Sequence, residues 1–376
     1  MKLVWATVTS VDSTRVDSLR CEVALDTGSL GTATCFPSLT GPVVDGDRVL
    51  LNTTAVELGL GTGGAHFVVA KIGEDGPTGV ALDDPSGGHV MKLRYTPLQR
   101  DVVSVESPES PFHQTMARVT SIEGAPVVCT SLHSQVVLVA AAIRRAAPHL
   151  RICYVMTDQA ALPLALSGVI ADAVRMKLID STITCGQAFG GDYEAVNLHS
   201  ALLAAHHVAA ADVTIVGIGP GVVGTATPFG HGGVAQGEAI NAVAALGGLP
   251  IACLRVSFAD ERERHRGLSH HTATALGTIA RAKALVAVPF LGEAEWGPAL
   301  AADLEAMASE VEHEGMELDY AAYDERALRG VKVTTMGRGY DDDPAFFEAA
   351  FAAGVVGALV ATQDEDQGEC GGGCAS

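Results

Sequence analysis

The chain has 376 residues, of which 48% are hydrophobic and 18% are charged, a composition typical of a globular protein rather than a disordered one. Its 24 Lys and Arg residues against 44 Asp and Glu residues give a net charge of −20 at pH 7. An acidic surface of this size repels phosphate backbones and anionic lipids, which argues against nucleic-acid and membrane-surface binding. The first residues lack the apolar run of a signal peptide, and no stretch reaches the ~18 uninterrupted apolar residues of a membrane span. We therefore expect a cytoplasmic protein.

Residues 1–110 contain short apolar stretches separated by turn signals, with little helical periodicity. The stretches are 3–8, 21–25, 32–36, 48–51, 67–72 and 90–95. They predict a small N-terminal β-barrel of the OB or SH3-like kind. Basic and aromatic residues do not alternate on these stretches, so we expect a packing or partner-binding module rather than an oligonucleotide-binding one.

The Ser- and Pro-rich stretch 107–111 predicts a linker, which we place at 111–124. From 125 to 362, strand-like and helix-like patterns alternate, which predicts a doubly wound, mainly parallel, Rossmann-like α/β domain. The predicted strands are 126–129, 151–156, 181–185, 213–218, 251–256, 285–290 and 330–335. The predicted helices include 134–147, 159–176, 193–210, 269–282, 293–316 and 344–362. Residues 363–376, with Cys370 and Cys374, are predicted to form a mobile tail.

Polar residues collect where the predicted strands end. His133, Asp158, and the pair Gly191 and Asp192 follow the first, second and third strands, and a histidine-rich stretch at 260–271 follows the fifth. Ligands of parallel α/β sheets bind outside the carboxyl ends of the strands. We therefore expect these loops to form one pocket.

The loop after the fourth strand contains a G-x-G-x-x-G match at Gly219, Gly221 and Gly224. A dinucleotide site also needs a helix to begin inside the motif, whereas residues 225–233 are rich in Thr, Pro and Gly. The pattern favours a loop whose free amides bind an anion. The alternatives are a nicotinamide site and a purely structural loop that crosses the sheet tightly. The expected ligand-binding residues are Gly219, Gly221, Gly224, Thr225, His231, Gly232, Gly191 and Asp192.

In the stretch 260–271, Ser269 is predicted to cap a helix whose first turn holds His270 and His271. A helix N-terminus disfavours a protonated imidazole, so these side chains could donate to a substrate oxygen or ligate a metal, or they could be structural. Asp260, His265 and His231 could complete such a set, but the spacing matches no zinc signature and leaves any metal unidentified.

Two smaller features leave alternatives open. Asp158 could be a ligand-binding carboxylate or a plain helix N-cap. Ser131 and His133 suggest a nucleophile and a base, but the G-x-S-x-G elbow is absent, which argues against a serine hydrolase.

Three strings, at 88–97, 190–195 and 264–271, resemble a bacterial family defined only as a domain of unknown function (number 3866). The likeness runs over nearly the whole chain and ends before the tail. It implies a soluble bacterial protein and brings no activity or catalytic residue with it.

These patterns predict a protein that binds an anionic or phosphorylated small molecule at the carboxyl ends of the α/β sheet. As an enzyme it would use His270, His271, His133 or Asp158 for proton transfer. The alternative is a non-catalytic ligand sensor or scaffold with the barrel as its partner-binding module. The sequence leaves the cofactor and the oligomeric state open, a homo-oligomer included.

Overall fold

The computed structural model of the chain describes residues 1–59, 63–73, 76–78, 87–292, 294–307 and 309–370. The chain divides into two compact units, residues Met1–Val102 and Val103–Ser376. Each unit has its own hydrophobic core.

The first unit is a closed five-stranded β-barrel, as the sequence predicts. Its strands are β1 (Leu3–Asp12), β2 (Leu19–Leu25), β3 (Leu30–Cys35), β4 (Arg48–Asn52) and β5 (Ala65–Gly73). Neighbours pair antiparallel in the order β3-β2-β1-β4-β5, and a parallel pairing of β3 with β5 closes the barrel. Alternate residues such as Ala6, Val8, Cys21 and Val23 are buried inside it, as expected for strands with one face inward.

Shorter elements complete this unit. They are β6 (Gly76–Thr78), β7 (Val90–Lys92), β8 (Arg100–Val102), and the one-turn helices α1 (Pro37–Thr40) and α2 (Thr54–Glu57). Strand β7 pairs with β8 in a separate two-stranded sheet. The sixth predicted strand therefore does not belong to the barrel.

The second unit is a doubly wound α/β domain, again as predicted. Its strands are β9 (Pro126–Cys129), β10 (Ile152–Thr157), β11 (Ser181–Cys185), β12 (Tyr193–Ala195), β13 (Val213–Ile218), β14 (Leu249–Cys253), β15 (Val256–Ser257), β16 (Gly267–Leu268), β17 (Leu285–Val288) and β18 (Glu314–Glu317). Its helices are α3 (His113–Met116), α4 (His133–Ala146), α5 (Gly168–Arg175), α6 (Leu198–His207), α7 (Ala235–Ala245), α8 (His270–Thr274), α9 (Gly297–Ala306) and α10 (Pro344–Cys370).

Eight of these strands form one sheet in the order β12-β11-β10-β13-β9-β14-β17-β18, with every neighbouring pair parallel. The central strands β9, β10, β13 and β14 are mainly apolar because both faces are covered. Val128 and Ile215 pack with α4 and α10 on one face, whereas Val127 and Val216 pack with α6 and α7 on the other. The carboxyl ends of β13, β9 and β14 therefore lie side by side.

Several predicted elements were wrong. Residues 193–195 form the strand β12 rather than the start of a helix, because they pair with β11. The predicted helix 293–316 is a shorter helix, α9, followed by the edge strand β18; Glu293 lies outside the described residues. The stretch 330–335 forms no strand and makes only an isolated bridge between Thr335 and Arg338.

Helix α10 is long and apolar enough to cross a membrane over Pro344–Gln363, but 78% of that window is buried inside the protein. The core helix of a soluble protein passes the same test, so this segment is compatible with one. The helix continues to Cys370, into the predicted tail, and residues 371–376 lie outside the described residues.

Candidate functional site

Two adjoining cavities lie at the carboxyl ends of the central strands. The first, of about 280 Å³, is lined by the turn after β9, the glycine loop after β13 and the segment 332–336. The second, of about 170 Å³, is lined by Arg255, Arg262, Arg264, His265, His270 and His271 together with part of the glycine loop. Both cavities are lined by Leu132, Val222 and Met336. The structure thus brings six of the predicted residues to the two cavities, with His133, Gly219 and Gly221 in the first and Gly224, His270 and His271 in the second.

The glycine loop does not begin a helix. Thr225 N–H donates to the Gly230 carbonyl (2.8 Å) and Gly230 N–H to the Thr227 hydroxyl (3.1 Å), so the chain makes a turn of its own before α7 begins at Ala235. Helix α7 is therefore too far along the chain to bring its N-terminus to the G-x-G-x-x-G motif, as a dinucleotide site requires.

The predicted glycines differ in what they do. A Cβ at residue 219 would lie 2.5 Å from the Ala161 carbonyl oxygen, so Gly219 permits a close approach of two chain segments. Gly221 has a φ of +85° and lines the first cavity. Within the described part of the chain, no hydrogen bond is made by the backbone N–H groups of Gly221 and Val222. These amides are available to an anion in the first cavity.

Four imidazoles cluster beside the second cavity, and three of them, those of His265, His270 and His271, line it. His231 comes from the glycine loop, His265 from the turn Glu263–His265, and His270 and His271 from the first turn of α8. The rings of His231 and His271 stack with centroids 3.9 Å apart, and those of His231 and His270 are 5.0 Å apart. The His265 ring lies 4.8 Å from that of His270 and 4.9 Å from that of His271.

Local sequence explains how two of these rings are positioned. The Ser269 hydroxyl accepts the His271 N–H at the start of α8, which confirms the predicted N-cap. The pairing of β15 with β16 holds together the two ends of the loop that carries His265. A Cβ at residue 233 would lie 2.9 Å from three atoms of His271, so only glycine lets the two loops approach this closely.

Hydrogen bonds fix the protonation of two rings. His231 Nε2 lies 3.0 Å from the Pro228 carbonyl oxygen, which can only accept, so Nε2 carries the proton and Nδ1 holds a lone pair. Arg255 NH1 lies 2.7 Å from Nδ1 of His271 and can only donate, so in a neutral His271 the proton is on Nε2. The cluster therefore offers a proton acceptor on His231 and a proton donor on His271.

All four imidazoles are kept neutral. Burial lowers the pKa of His265 to about 3, of His270 to about 4 and of His271 to about 2, and the Arg255 guanidinium adds to the effect in each case. Burial also lowers the pKa of His231. Burial lowers the pKa of Arg255 to about 10, so this side chain is still charged at neutral pH.

The arginines of the second cavity are only partly matched by acids. Arg262 forms an ion pair with Asp260 at 2.8 Å, and Arg338 approaches the same carboxylate at 3.6 Å. Among the described residues, neither Arg255 nor Arg264 forms an ion pair with a carboxylate. Arg255 is only 6% exposed. A pocket with excess positive charge thus occurs in a protein whose net charge is −20.

His133 lines the first cavity, but both of its ring nitrogens have partners. Nδ1 lies 3.2 Å from the Ile218 carbonyl oxygen and Nε2 lies 2.6 Å from the Ser167 hydroxyl, while the Tyr154 hydroxyl is 3.4 Å from Nδ1. Nδ1 therefore donates to the carbonyl, and Nε2 accepts from Ser167. Ser131, by contrast, bonds to Gln135, so the predicted pairing of Ser131 with His133 is not formed.

The state of His133 predicts a pH dependence of stability. Burial lowers its pKa from about 6.5 to about 4. Between pH 6.5 and pH 4 the unfolded chain binds a proton at His133 that the folded chain does not. The unfolding free energy is therefore unaffected by this group above pH 6.5 and decreases as the pH falls below it. We expect this group to remove about 2 kcal/mol of unfolding free energy between pH 7 and pH 5. Urea unfolding at several pH values should show a shallower pH dependence for His133→Gln than for the wild type.

The comparison variant for this measurement is His199→Ala, which removes an exposed imidazole on α6. It should keep the wild-type pH dependence. An equally steep loss of stability in His133→Gln would show that the buried neutral state of His133 is not the cause.

The remaining predicted residues lie elsewhere. Asp158 accepts the Gln187 N–H (2.9 Å), packs against Gly186, and lines neither cavity. Asp192 accepts the N–H and the hydroxyl of Thr182 at the edge strands of the sheet. The structure does not bring Asp158, Asp192 or its neighbour Gly191 to the cavities.

Two predicted residues of the glycine loop, Thr225 and Gly232, stabilise the conformation of the loop and line neither cavity. The exposed Thr225 side chain bonds to Thr227 and Gly230 within its own turn. A Cβ at residue 232 would lie 3.0 Å from the Val222 side chain, so the buried Gly232 packs inside the loop.

Sequence reasoning missed Arg255, Lys332 and Met336. Lys332 lies in a stretch predicted to be a strand and Met336 directly follows it, and neither carried a functional signal. Arg255, however, is a charged residue at the end of the apolar run 251–256. Charged residues are rarely buried without a partner, so a charge in a run this apolar was a usable signal.

A family model described as a protein of unknown function (DUF3866) matches residues 32–354. This match confirms the resemblance carried by the three strings and extends over most of both units. Searches of curated proteins and of solved structures gave no match.

Proposed function

Because the chain belongs to the DUF3866 family, whose function is unknown, we propose a function from the site itself: the protein binds an anionic or phosphorylated small molecule in the second cavity. The observation that carries this proposal is Arg255, which is buried and has no carboxylate partner among the described residues. The cavity lies next to the free amides of the glycine loop, which suit the same class of ligand.

The energetics of Arg255 support an anion. Removing an ionised side chain from water costs several kcal/mol unless a partner of opposite charge compensates. Burial lowers the pKa of Arg255 only to about 10, so the side chain does not escape this cost by losing its proton. A guanidinium presents two parallel N–H donors that match phosphate or carboxylate oxygens. A bound anion would supply the missing partner, with Arg264 at the exposed side of the cavity.

The imidazoles extend the proposal from binding to proton transfer. His271 would donate from Nε2 to an oxygen of the ligand, and His231 would accept a proton at Nδ1 from a hydroxyl or a water molecule beside it. Both rings are neutral at pH 7, so the donor and the acceptor are present together. Acid–base catalysis on an anionic substrate needs such a pair.

Direct binding measurements test the anion site. Isothermal titration calorimetry with inorganic phosphate and methyl phosphate, in buffer that contains EDTA, should show saturable binding that weakens with salt. We expect Arg264→Gln to lower the affinity by about 10-fold, because it removes a charge-assisted hydrogen bond. Arg175→Gln, a surface arginine paired with Asp172, should bind as the wild type does. Absence of binding to phosphate, phosphate esters and carboxylates at millimolar concentration would sink the proposal.

A non-catalytic sensor is the second candidate function, and one observation on the barrel favours it. An apolar groove of about 730 Å³ on the barrel, a surface suited to a protein partner, is lined by residues that include Val16 and Val44, which are 86% and 62% exposed.

Nuclear magnetic resonance of the bound ligand separates the enzyme from the sensor. An enzyme should convert a phosphate ester and lose this conversion in His231→Asn, whereas a sensor should return the ligand unchanged.

A further inference from the structure

The histidine cluster beside the second cavity has a feature that anion binding does not use. His231 Nδ1 and His270 Nε2 are both buried and have no hydrogen-bond partner among the described residues. Leaving a buried polar atom without a partner destabilises the folded protein. The lone pair of His231 Nδ1 cannot bind an anion, so this nitrogen calls for a different ligand.

We infer that His231, His270 and His271 bind a divalent transition metal ion of the class that prefers imidazole nitrogen, such as Zn²⁺. One ring nitrogen of each lies within 4.8 Å of one from each of the other two. The three side chains come from two loops, at 231 and at 270–271, and the rings of His231 and His271 stack with centroids 3.9 Å apart. Because an imidazole lone pair lies in the plane of its ring, these two rings would have to rotate about χ2 to direct both lone pairs at one ion. Three protein ligands leave a coordination position open to water or to an anion. Coordination through His231 Nδ1 and His271 Nε2 would replace the proton transfer proposed for these two atoms, because a metal-bound nitrogen can neither accept nor donate a proton.

The surroundings of His231 are those of a metal ligand. Metal-binding histidines usually donate their second ring N–H to a carbonyl or a carboxylate, which fixes the tautomer and orients the lone pair. The Pro228 carbonyl does this for His231 at 3.0 Å, and it leaves Nδ1 as the ligand atom. His231 is only 5% exposed, so this lone pair faces the protein interior rather than solvent.

Arg255 is the feature that opposes a metal. Its guanidinium is 2.7 Å from Nδ1 of His271 and would repel a cation on the same ring. Coordination through Nε2 moves the ring proton to Nδ1, where it can no longer accept from Arg255. Arg255 would then be released toward an anion, and the anion would offset the charge of the metal. The metal and the anion should therefore each raise the affinity for the other, a consequence that rests on the proposed anion site.

Metal titration of the full chain tests the site. After EDTA treatment and desalting, calorimetry with Zn²⁺ should show one tight site, and Co²⁺ should give the absorption of a tetrahedral nitrogen complex. His231→Ala and His270→Ala should each lose at least about 10-fold in metal affinity, since even second-shell changes cost that much. His199→Ala, an exposed histidine on α6, is the control for adventitious binding and should keep the wild-type affinity. Circular dichroism checks that the variants are folded.

A second titration, with methyl phosphate present, tests the coupling. We expect Zn²⁺ affinity to rise by at least about 5-fold and this gain to vanish in Arg255→Gln. Equal metal affinity in the wild type and the two histidine variants would overturn the metal site. If methyl phosphate binds in EDTA while Zn²⁺ does not bind at all, the metal inference fails and the proposed function stands. If Zn²⁺ binds but methyl phosphate does not, the proposed function fails and the three-histidine site remains.

Discussion

Gly354→Val is expected to lower the unfolding free energy of the α/β unit by at least about 3 kcal/mol. Gly354 lies on α10 where that helix crosses α4, and a Cβ there would sit 2.4 Å from the Val139 carbonyl oxygen and 2.6 Å from the Ala142 Cβ. Both helices pack on the same face of the sheet, and α10 is mostly buried over Pro344–Gln363. A side chain at this point would force the two helices apart and open the core beneath them.

Urea unfolding followed by circular dichroism measures this effect, and Gly357→Ala on the same helix is the comparison. A Cβ at residue 357 would meet the Val128 side chain at 3.0 Å, not a backbone atom. A methyl group of a side chain can yield by a few tenths of an ångström, and alanine is favoured over glycine in a helix by about 1 kcal/mol. The Ala variant should therefore be close to the wild type in stability. Similar losses of unfolding free energy in both variants would show that the close approach of α10 to α4 does not depend on glycine at residue 354.

Arg255→Gln should lower the affinity for phosphate by about 100-fold, measured by calorimetry in EDTA. Truncating one partner of a buried, hydrogen-bonded charge pair costs about 2–5 kcal/mol. The same change should leave the ligand-free protein as stable as the wild type, or more stable, because it removes a buried charge that has no carboxylate partner in the described structure. Loss of affinity without loss of stability is the signature of a binding residue rather than a structural one.

Arg151→Gln provides the contrast for Arg255. Arg151 pairs with Asp212 at 3.0 Å near the amino end of β10 and lines neither cavity. This variant should bind phosphate with unchanged affinity. If Arg255→Gln binds as tightly as Arg151→Gln does, the buried guanidinium is not part of the anion site.

The strands in the middle of the sheet were predictable, but those at its edges were not. The bounds of β9 and β13 agree with the prediction because both are mainly apolar, which is what a strand buried on both faces requires. The edge strand β18 is mostly exposed and has the sequence EGME, which has no strand pattern. Its pairing with β17 makes it a strand, and pairing is a non-local property.

The same division applies to the helices around the site. The N-cap at Ser269 could be read from the sequence, because a serine before a helical pattern needs only its own neighbours to cap. The end of that helix could not be predicted. Helix α8 passes into a π-helical turn, Ala275–Ile279, which packs on α7 where a Cβ at Gly237 would lie 2.6 Å from the Ala275 carbonyl oxygen.

The sequence by itself determined the fold class and the central strands of the sheet. It also determined that polar residues follow these strands, because hydrophobic periodicity and turn residues are local features of the chain. The tertiary structure decided which of those polar residues meet. Strand β13 inserts between β10 and β9, and this order brings the glycine loop beside the turn at His133 and the histidines of α8. Asp158 and Asp192 satisfy backbone and hydroxyl donors of neighbouring strands instead. The order of strands in a sheet is set by contacts between distant segments, and no local pattern in the chain encodes it.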